Sequence, residues 1–234
     1  MRVITWLGSL EEAARRGDLP PLDAREQDRA RAFANPGARN RFATLRSVQR
    51  RLLAGALGVA PDLLLSDYAC PECGPDAGHG RPGYRLTDRS GNRTTPPFAL
   101  SASRAGEWGA VVVALDVPEG FRLGVDLTLE AEIFDGFDTV ALSAAERAWI
   151  GSLPPEERIS ARAGLWAAKE AIAKRDGHGL RKDPSTIEAL GRRGLVELRV
   201  SAAGPGTGGG ALPPHRLMAA VPEKAEAAFR RATA

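Results

Sequence analysis

Strand-like and helix-like stretches follow one another along this chain in a single order, and that order occurs twice. A strand candidate at residues 2–7 precedes an arginine-rich helical region at 23–57, broken around Asn35-Pro36-Gly37, and then strand candidates at 98–101 and 110–115. Within 41–57, Phe42, Leu45, Val48, Leu52 and Leu53 recur at helical spacing, and Gly58 ends the run. The Val111-Val112-Val113 run predicts a buried strand. After a turn at Pro118-Glu119-Gly120 come a strand candidate at 122–129 and a helical segment near 135–150, with a Ser143-x-x-Glu146 capping box. A long helix at 157–176 follows, closed by Gly177-His178-Gly179, and then strand candidates at 195–200 and 216–221. Residues 66–97 read as turn-rich, and 203–212 as a glycine-rich hairpin loop without a phosphate-loop pattern. The expected fold class is α+β, with two pseudo-symmetric halves at 1–116 and 117–234. Each half would be a small antiparallel sheet packed by a long helix, and the likeness lies in element order alone.

Composition excludes more than it assigns. The chain has 234 residues, 43% hydrophobic and 26% charged, which is ordinary for a globular protein. A formal net charge of +3 and 6% aromatics give no basis for a nucleic-acid partner. With no apolar run near 18 residues and no signal-peptide pattern, no membrane partner and a cytoplasmic location are expected. Cys70, Cys73 and His79 supply three of the four ligands a structural zinc needs, with Asp76 or a distant histidine as the fourth. A loop of free thiols is the simpler reading.

Only four of the 32 basic residues are lysine, and two of them, Lys169 and Lys174, flank Glu170 in Trp166-Ala-Ala-Lys-Glu-Ala-Ile-Ala-Lys174. On a helix Glu170 and Lys174 stand at i, i+4. The row Ile159, Ala163, Trp166, Glu170 is mostly apolar, which turns Glu170 inward, where a carboxylate needs a metal or a lysine as partner. Read alone, the segment equally fits an exposed Glu–Lys pair. A second carboxylate lies in Gly124-Val-Asp-Leu-Thr-Leu-Glu130, where Asp126, Thr128 and Glu130 share one face of a strand. The alternative for that strand is a polar solvent face.

Taken together, Gly-Val-Asp followed about forty residues later by Trp-x-x-Lys-Glu-Ala-x-x-Lys resembles the 4′-phosphopantetheinyl transferases of the surfactin type. Gly80-Arg81-Pro82 resembles that family's Gly-Lys-Pro, and Phe98-Ala-Leu-Ser-Ala-Ser103 resembles its Phe-Asn-Leu-Ser-His-Ser. Asp28-Arg-Ala-Arg-Ala-Phe33 and Arg41-Phe-Ala-Thr-Leu-Arg46 resemble its arginine-bearing N-terminal helices.

The resemblance implies Mg²⁺-dependent transfer of phosphopantetheine from coenzyme A to a serine of an acyl or peptidyl carrier protein by a monomeric enzyme. It implies Asp126 and Glu170 as metal ligands, Glu170 also helping to deprotonate the serine, and Lys174 at the leaving oxygen. Lys169 and Arg81 would hold coenzyme A phosphates, Ser101 and Ser103 would offer hydroxyls, and Arg29, Arg41 and Arg104 would be further phosphate contacts. Two departures stand out. Ala102 replaces the family's histidine, and Thr128 its second strand carboxylate. Glu130 lies about 7 Å further along a strand, too far to replace Thr128 without a bulge. Transfer therefore competes with a repurposed relative, one that binds coenzyme A or a carrier without transfer or serves another biosynthetic step.

Overall fold

The structure, a computed structural model, describes residues 1–70, 74–75, 81–87, 93–94, 98–177, 179, 183–200 and 212–233. Strand β1 (Arg2–Ser9) runs straight into the short helix α1 (Leu10–Arg15), where the Ser9 hydroxyl accepts the Glu12 amide. Helix α2 (Ala24–Arg31) opens on a capping box between Asp23 and Glu26. Asn35 then caps α3 (Pro36–Leu57), Pro36 sits in its first turn, and Gly58 ends it at φ +68°.

Residues 66–97, read from sequence as turn-rich, belong in part to an antiparallel sheet. Its strands are β2 (Leu64–Cys70), β3 (Gly74–Pro75), β4 (Arg81–Thr87) and β5 (Arg93–Thr94), in the order β3-β2-β4-β5. The strand period is disguised because Ser66 occupies an inward position. Its amide and hydroxyl both bond the Asp23 carboxylate, so a polar residue is satisfied where an apolar one would be expected. Of the proposed zinc ligands, Cys73, His79 and Asp76, and the side chain of Cys70, lie outside the described residues.

The remaining strands form two three-stranded sheets. The first pairs β1, β7 (Trp108–Leu115) and β6 (Phe98–Ala105) in the order β1-β7-β6. The second pairs β8 (Gly124–Leu129), β10 (His215–Ala220) and β9 (Leu195–Glu197) in the order β8-β10-β9. Between β8 and β9 run α4 (Phe137–Ala141), α5 (Ala144–Ser152) and α6 (Pro155–Asp176), and α7 (Glu226–Thr233) closes the chain. Helices α1 and α7 were not anticipated from sequence, being only six and eight residues long.

The two sheets lie face to face. Val112 and Ala114 of the first and Val125, Leu127, Leu217 and Ala219 of the second share one core with Phe229 of α7. The outer face of the first sheet packs Trp6, Val111 and Val113 against Val48 and Leu53 of α3. The second sheet's outer side packs on α6 through Ala171, Ile172 and Ala220. The layers therefore run helix, sheet, sheet, helix. β7 is apolar on consecutive residues because both its faces are buried, unlike a half-exposed strand. Each fully buried valine there contributes about 1.5–3 kcal/mol of transfer free energy.

Two edge strands, β6 and β8, meet without forming a ladder. The buried Val125 amide, which has no strand partner on that side, donates instead to Ser101 Oγ at 2.9 Å. On its other side β8 approaches α6 closely at Gly124. A Cβ built there would lie 1.9 Å from the Ala171 carbonyl oxygen and 2.4 Å from the Arg175 amide. Only glycine permits this contact. Among the described residues no helix is long and apolar enough to cross a membrane.

Candidate active site

The seam between β6 and β8, capped by α6 and flanked by α3, opens as a cleft of about 390 Å³. Helix α6 delivers its polar groups from the C-terminal end. Gly177 closes the helix at φ +83°, and Lys174 and Arg175 lie in the last turn, where the helix dipole favours cations. Strand alternation turns Asp126 and Thr128 away from the inter-sheet core and toward that helix, while Val125 and Leu127 face the core.

Asp126 is the hub. Lys174 Nζ lies 2.6 Å from its Oδ1, and Ser103 Oγ donates to the same oxygen at 2.6 Å. Lys174 also donates to Ser103 Oγ at 2.9 Å. Thr128 Oγ1 donates to Asp126 Oδ2 at 2.9 Å. The four groups come from both sheets and α6, and all line the cleft. Asp126 and Thr128 are buried, whereas the Lys174 side chain keeps 30% of its surface exposed and can follow a ligand.

Glu170 stands one helical turn before Lys174 on the same wall, half-buried, with no hydrogen bond or ion pair to the described residues. Burial pushes its carboxyl above the ordinary 4.5, the Asp126 charge pushes it further, and Lys174 only partly opposes the rise. The inward stripe expected for this helix holds from Ala163 onward. Its first member, Ile159, is 43% exposed.

These groups suit a hard divalent cation. A carboxylate offers about four lone-pair sites. Asp126 uses three, two on Oδ1 and one on Oδ2, and so retains one on Oδ2. Glu170 supplies a second carboxylate, its pKa raised by burial first and by the Asp126 charge second. Among the described residues no group of three or more histidine, cysteine, aspartate or glutamate side chains could hold a metal by itself. Two carboxylates and open positions are the pattern for an ion that keeps waters and takes phosphate oxygens.

Other residues singled out from sequence fall elsewhere. Lys169, read as a coenzyme A phosphate contact, is fully buried on another side of α6, with Nζ 2.6 Å from Glu146 Oε2 and 2.9 Å from the Pro184 carbonyl oxygen. It sits next to Glu170 in sequence but about 100° around the helix, which a linear motif does not reveal. Ser101 is also buried and serves the Val125 amide rather than the cleft. Arg41 pairs with Glu107 at 2.7 Å. Arg104 lines the cleft, and burial, followed by the nearby Arg41 charge, lowers the pKa of its guanidinium. Arg29 lies with its guanidinium carbon 4.3 Å from the centre of the Tyr68 ring. The side chain of Arg81 is outside the described residues, though its neighbour Pro82 lines the cleft. Glu130 begins a 3₁₀ turn and binds Ser160, so it does not approach Asp126.

Arg46 gains a role only from the structure. It lines the cleft, donates to Gln49 Oε1 at 2.7 Å and lies over the Phe42 ring. The signal was present: Phe42, Arg46 and Gln49 stand at i, i+4 and i+7, one helix face, whereas Arg41 is about 140° away from Arg46. Glu132, exposed at the rim, also went unnoticed.

With this geometry in place, comparison with known proteins adds one finding. Residues 122–200 match the model of the 4′-phosphopantetheinyl transferase superfamily. That stretch contains Asp126, Thr128, Lys169, Glu170 and Lys174, and it supports phosphopantetheine transfer as the general class of chemistry. No curated protein matches the chain.

Proposed function

We propose that this protein transfers 4′-phosphopantetheine from coenzyme A to a serine hydroxyl of an acyl or peptidyl carrier protein, in the manner of the surfactin-type transferases and with Mg²⁺. The observation that carries the reading is the convergence of Asp126, Glu170 and Lys174 in one cleft, all three within the matched stretch.

The reaction breaks the pyrophosphate bond of coenzyme A. The serine oxygen attacks the β-phosphorus, and adenosine 3′,5′-bisphosphate leaves with the bridging oxygen. Asp126 and Glu170 would hold Mg²⁺, which when bound neutralises charge building on the pyrophosphate. Glu170, with its raised pKa and no competing partner, is the group suited to accept the serine proton. Lys174 has the exposure and reach to turn from Asp126 to the leaving oxygen. Arg46 and Arg104 at the wall would receive phosphates, with Arg41, whose charge reaches Arg104, and Arg29, which shares the Tyr68 ring with Arg46, as further candidates.

A protein substrate needs a landing surface beside the cleft. Phe134 is 59% exposed and Val140 56%. Phe134 packs edge-on against Phe137, which packs edge-on against Trp166 in the cleft wall. Phe134, two ring contacts from the cleft wall, is an exposed apolar residue suited to receive a carrier helix.

We further read residues 1–116 and 117–234 as related halves of a cytoplasmic monomer. The orders β1-β7-β6 and β8-β10-β9, each with a 22-residue helix between its first two strands, support that reading.

Apo carrier proteins of fatty-acid, polyketide and peptide synthesis, incubated with coenzyme A and Mg²⁺, should gain one phosphopantetheine by mass. No gain across such a panel would reject transfer. The alternative, binding without transfer, is favoured by one observation: Thr128 donates to Asp126 where the family has a carboxylate, so the metal set has one acidic group fewer. Calorimetry with coenzyme A separates the two, since binding without turnover supports the alternative.

A further inference from the structure

Helix α6 packs on its sheet through a run of alanines, with Leu165 and Ile172 as the large apolar side chains buried among them. Ala163, Ala167, Ala168, Ala171 and Ala173 are all buried, and Ala171 carries the carbonyl over Gly124. An alanine face lets the helix come close but interlocks weakly, because helix packing takes its angular preference from larger side chains seated in grooves. Distance is set at Gly124. Rotation about the helix axis is left to a few larger side chains, Leu165, Trp166 and Ile172, and to the polar ties of the helix.

The feature that can set it lies behind the cleft. Lys169 and Glu146 are both completely buried, with Nζ 2.6 Å from Oε2. The ammonium and both carboxylate oxygens each have partners. Glu146 also accepts the Ser143 amide at 2.9 Å and the Ala189 amide at 3.0 Å, and Lys169 donates to the Pro184 carbonyl oxygen at 2.9 Å. One ion pair thus ties the middle of α6 to the N-terminus of α5 and to the segment from Pro184 to Ala189. Buried pairs often add little stability over apolar replacements, and their best-attested use is to specify one register among several.

Lys169 lies roughly 100° around the helix from Glu170 and roughly 140° from Lys174. A helix pinned at Lys169 presents those two side chains at one fixed angle. We propose that the buried Lys169–Glu146 pair is a positioning device for the cleft, holding α6 at the rotation that brings Glu170 and Lys174 to Asp126. The transferase reading enters only in what those cleft residues then do.

The test is the double variant Lys169→Met with Glu146→Gln in the full chain. Removing both charges strands neither, and the glutamine oxygen keeps one backbone amide satisfied. The expected result is a folded protein whose kcat for transfer falls at least tenfold while KM for coenzyme A stays within about twofold. Its crystal structure should show the Lys174–Asp126 contact opened beyond hydrogen-bond distance. Wild-type kcat, or a lost kcat with that contact still closed, overturns the proposal, because a merely stabilising pair would leave the cleft geometry alone. Should the double variant not fold, Glu146→Asp, which retracts the carboxylate by one methylene, is read by the same two measurements. If the unaltered protein transfers nothing to any carrier, the functional reading falls and the crystallographic contact alone decides this one.

Discussion

Replacing Gly124 with alanine tests whether the cleft depends on the close approach of β8 to α6. The added Cβ would fall 1.9 Å from the Ala171 carbonyl oxygen and 2.4 Å from the Arg175 amide, in the middle of a helical hydrogen bond. Both contacts are backbone, so no side chain can swing away. Ordinary contact requires strand and helix to separate by about 1.5 Å, within the range where overpacking costs roughly 1–3 kcal/mol and somewhat more against rigid backbone. At about 3 kcal/mol the unfolding midpoint of a chain this size should drop by roughly 6–12 °C. Asp126 lies two residues on along the same face of β8, and its contact with Lys174 is now 2.6 Å. A displacement of about 1 Å at a reacting centre is enough for roughly a 10²-fold loss of rate. Thermal unfolding by circular dichroism and steady-state transfer kinetics, run well below the midpoint, measure the two effects separately. A variant with an unchanged midpoint and unchanged kcat would refute the reasoning, since it would show that α6 does not rest on Gly124.

Further outcomes follow from the same geometry. Asp126→Asn removes the hub charge while leaving a similar shape, and transfer should fall about 10²–10³-fold with little change in the unfolding midpoint. For Glu170 the rate should decline as pH drops through its raised pKa, and Glu170→Gln should abolish that limb of the pH–rate profile. Its effect on stability has a definite sign. Because folding raises the carboxyl's pKa, its contribution is fully favourable below the ordinary 4.5 and is lost as pH rises through the folded value. Glu170→Gln should therefore stabilise the protein at pH 8 relative to the parent, with the advantage shrinking on acidification, as chemical denaturation at several pH values would show. Phe134→Asp should raise KM for a carrier protein severalfold without altering coenzyme A binding, and equal kinetics would remove the docking patch.

The sequence was most legible where pattern and chemistry coincide. The long helices ended at Gly58 and Gly177 as their glycines indicated, and the run around Val111–Val113 was buried on both faces. The acidic strand and lysine-bearing helix were readable because alternation and i, i+4 spacing place Asp126, Glu170 and Lys174 on definite faces. What could not be read is which faces meet. Ser101 and Ser103 lie on one side of β6, yet only the register against β8 decides that Ser103 reaches Asp126 while Ser101 holds the Val125 amide. The partner of Lys169 stands 23 residues earlier on another helix, and that of Arg41 lies 66 residues away. Such pairings are decided by tertiary packing and leave no local trace. The strand containing Ser66 was missed for a related reason, since its inward polar residue is satisfied by a carboxylate 43 residues back.

The seam between β6 and β8 also says something about how the molecule can be taken apart. Ser103 comes from one sheet and Asp126 from the other, and the chain between them passes through an exposed turn at Glu119 and Gly120. The sheets share an apolar core, so each is the other's folding partner. A chain cut at that turn would give two pieces that are inert apart, and their reunion would rebuild the Ser103–Asp126–Lys174 cluster without a covalent link.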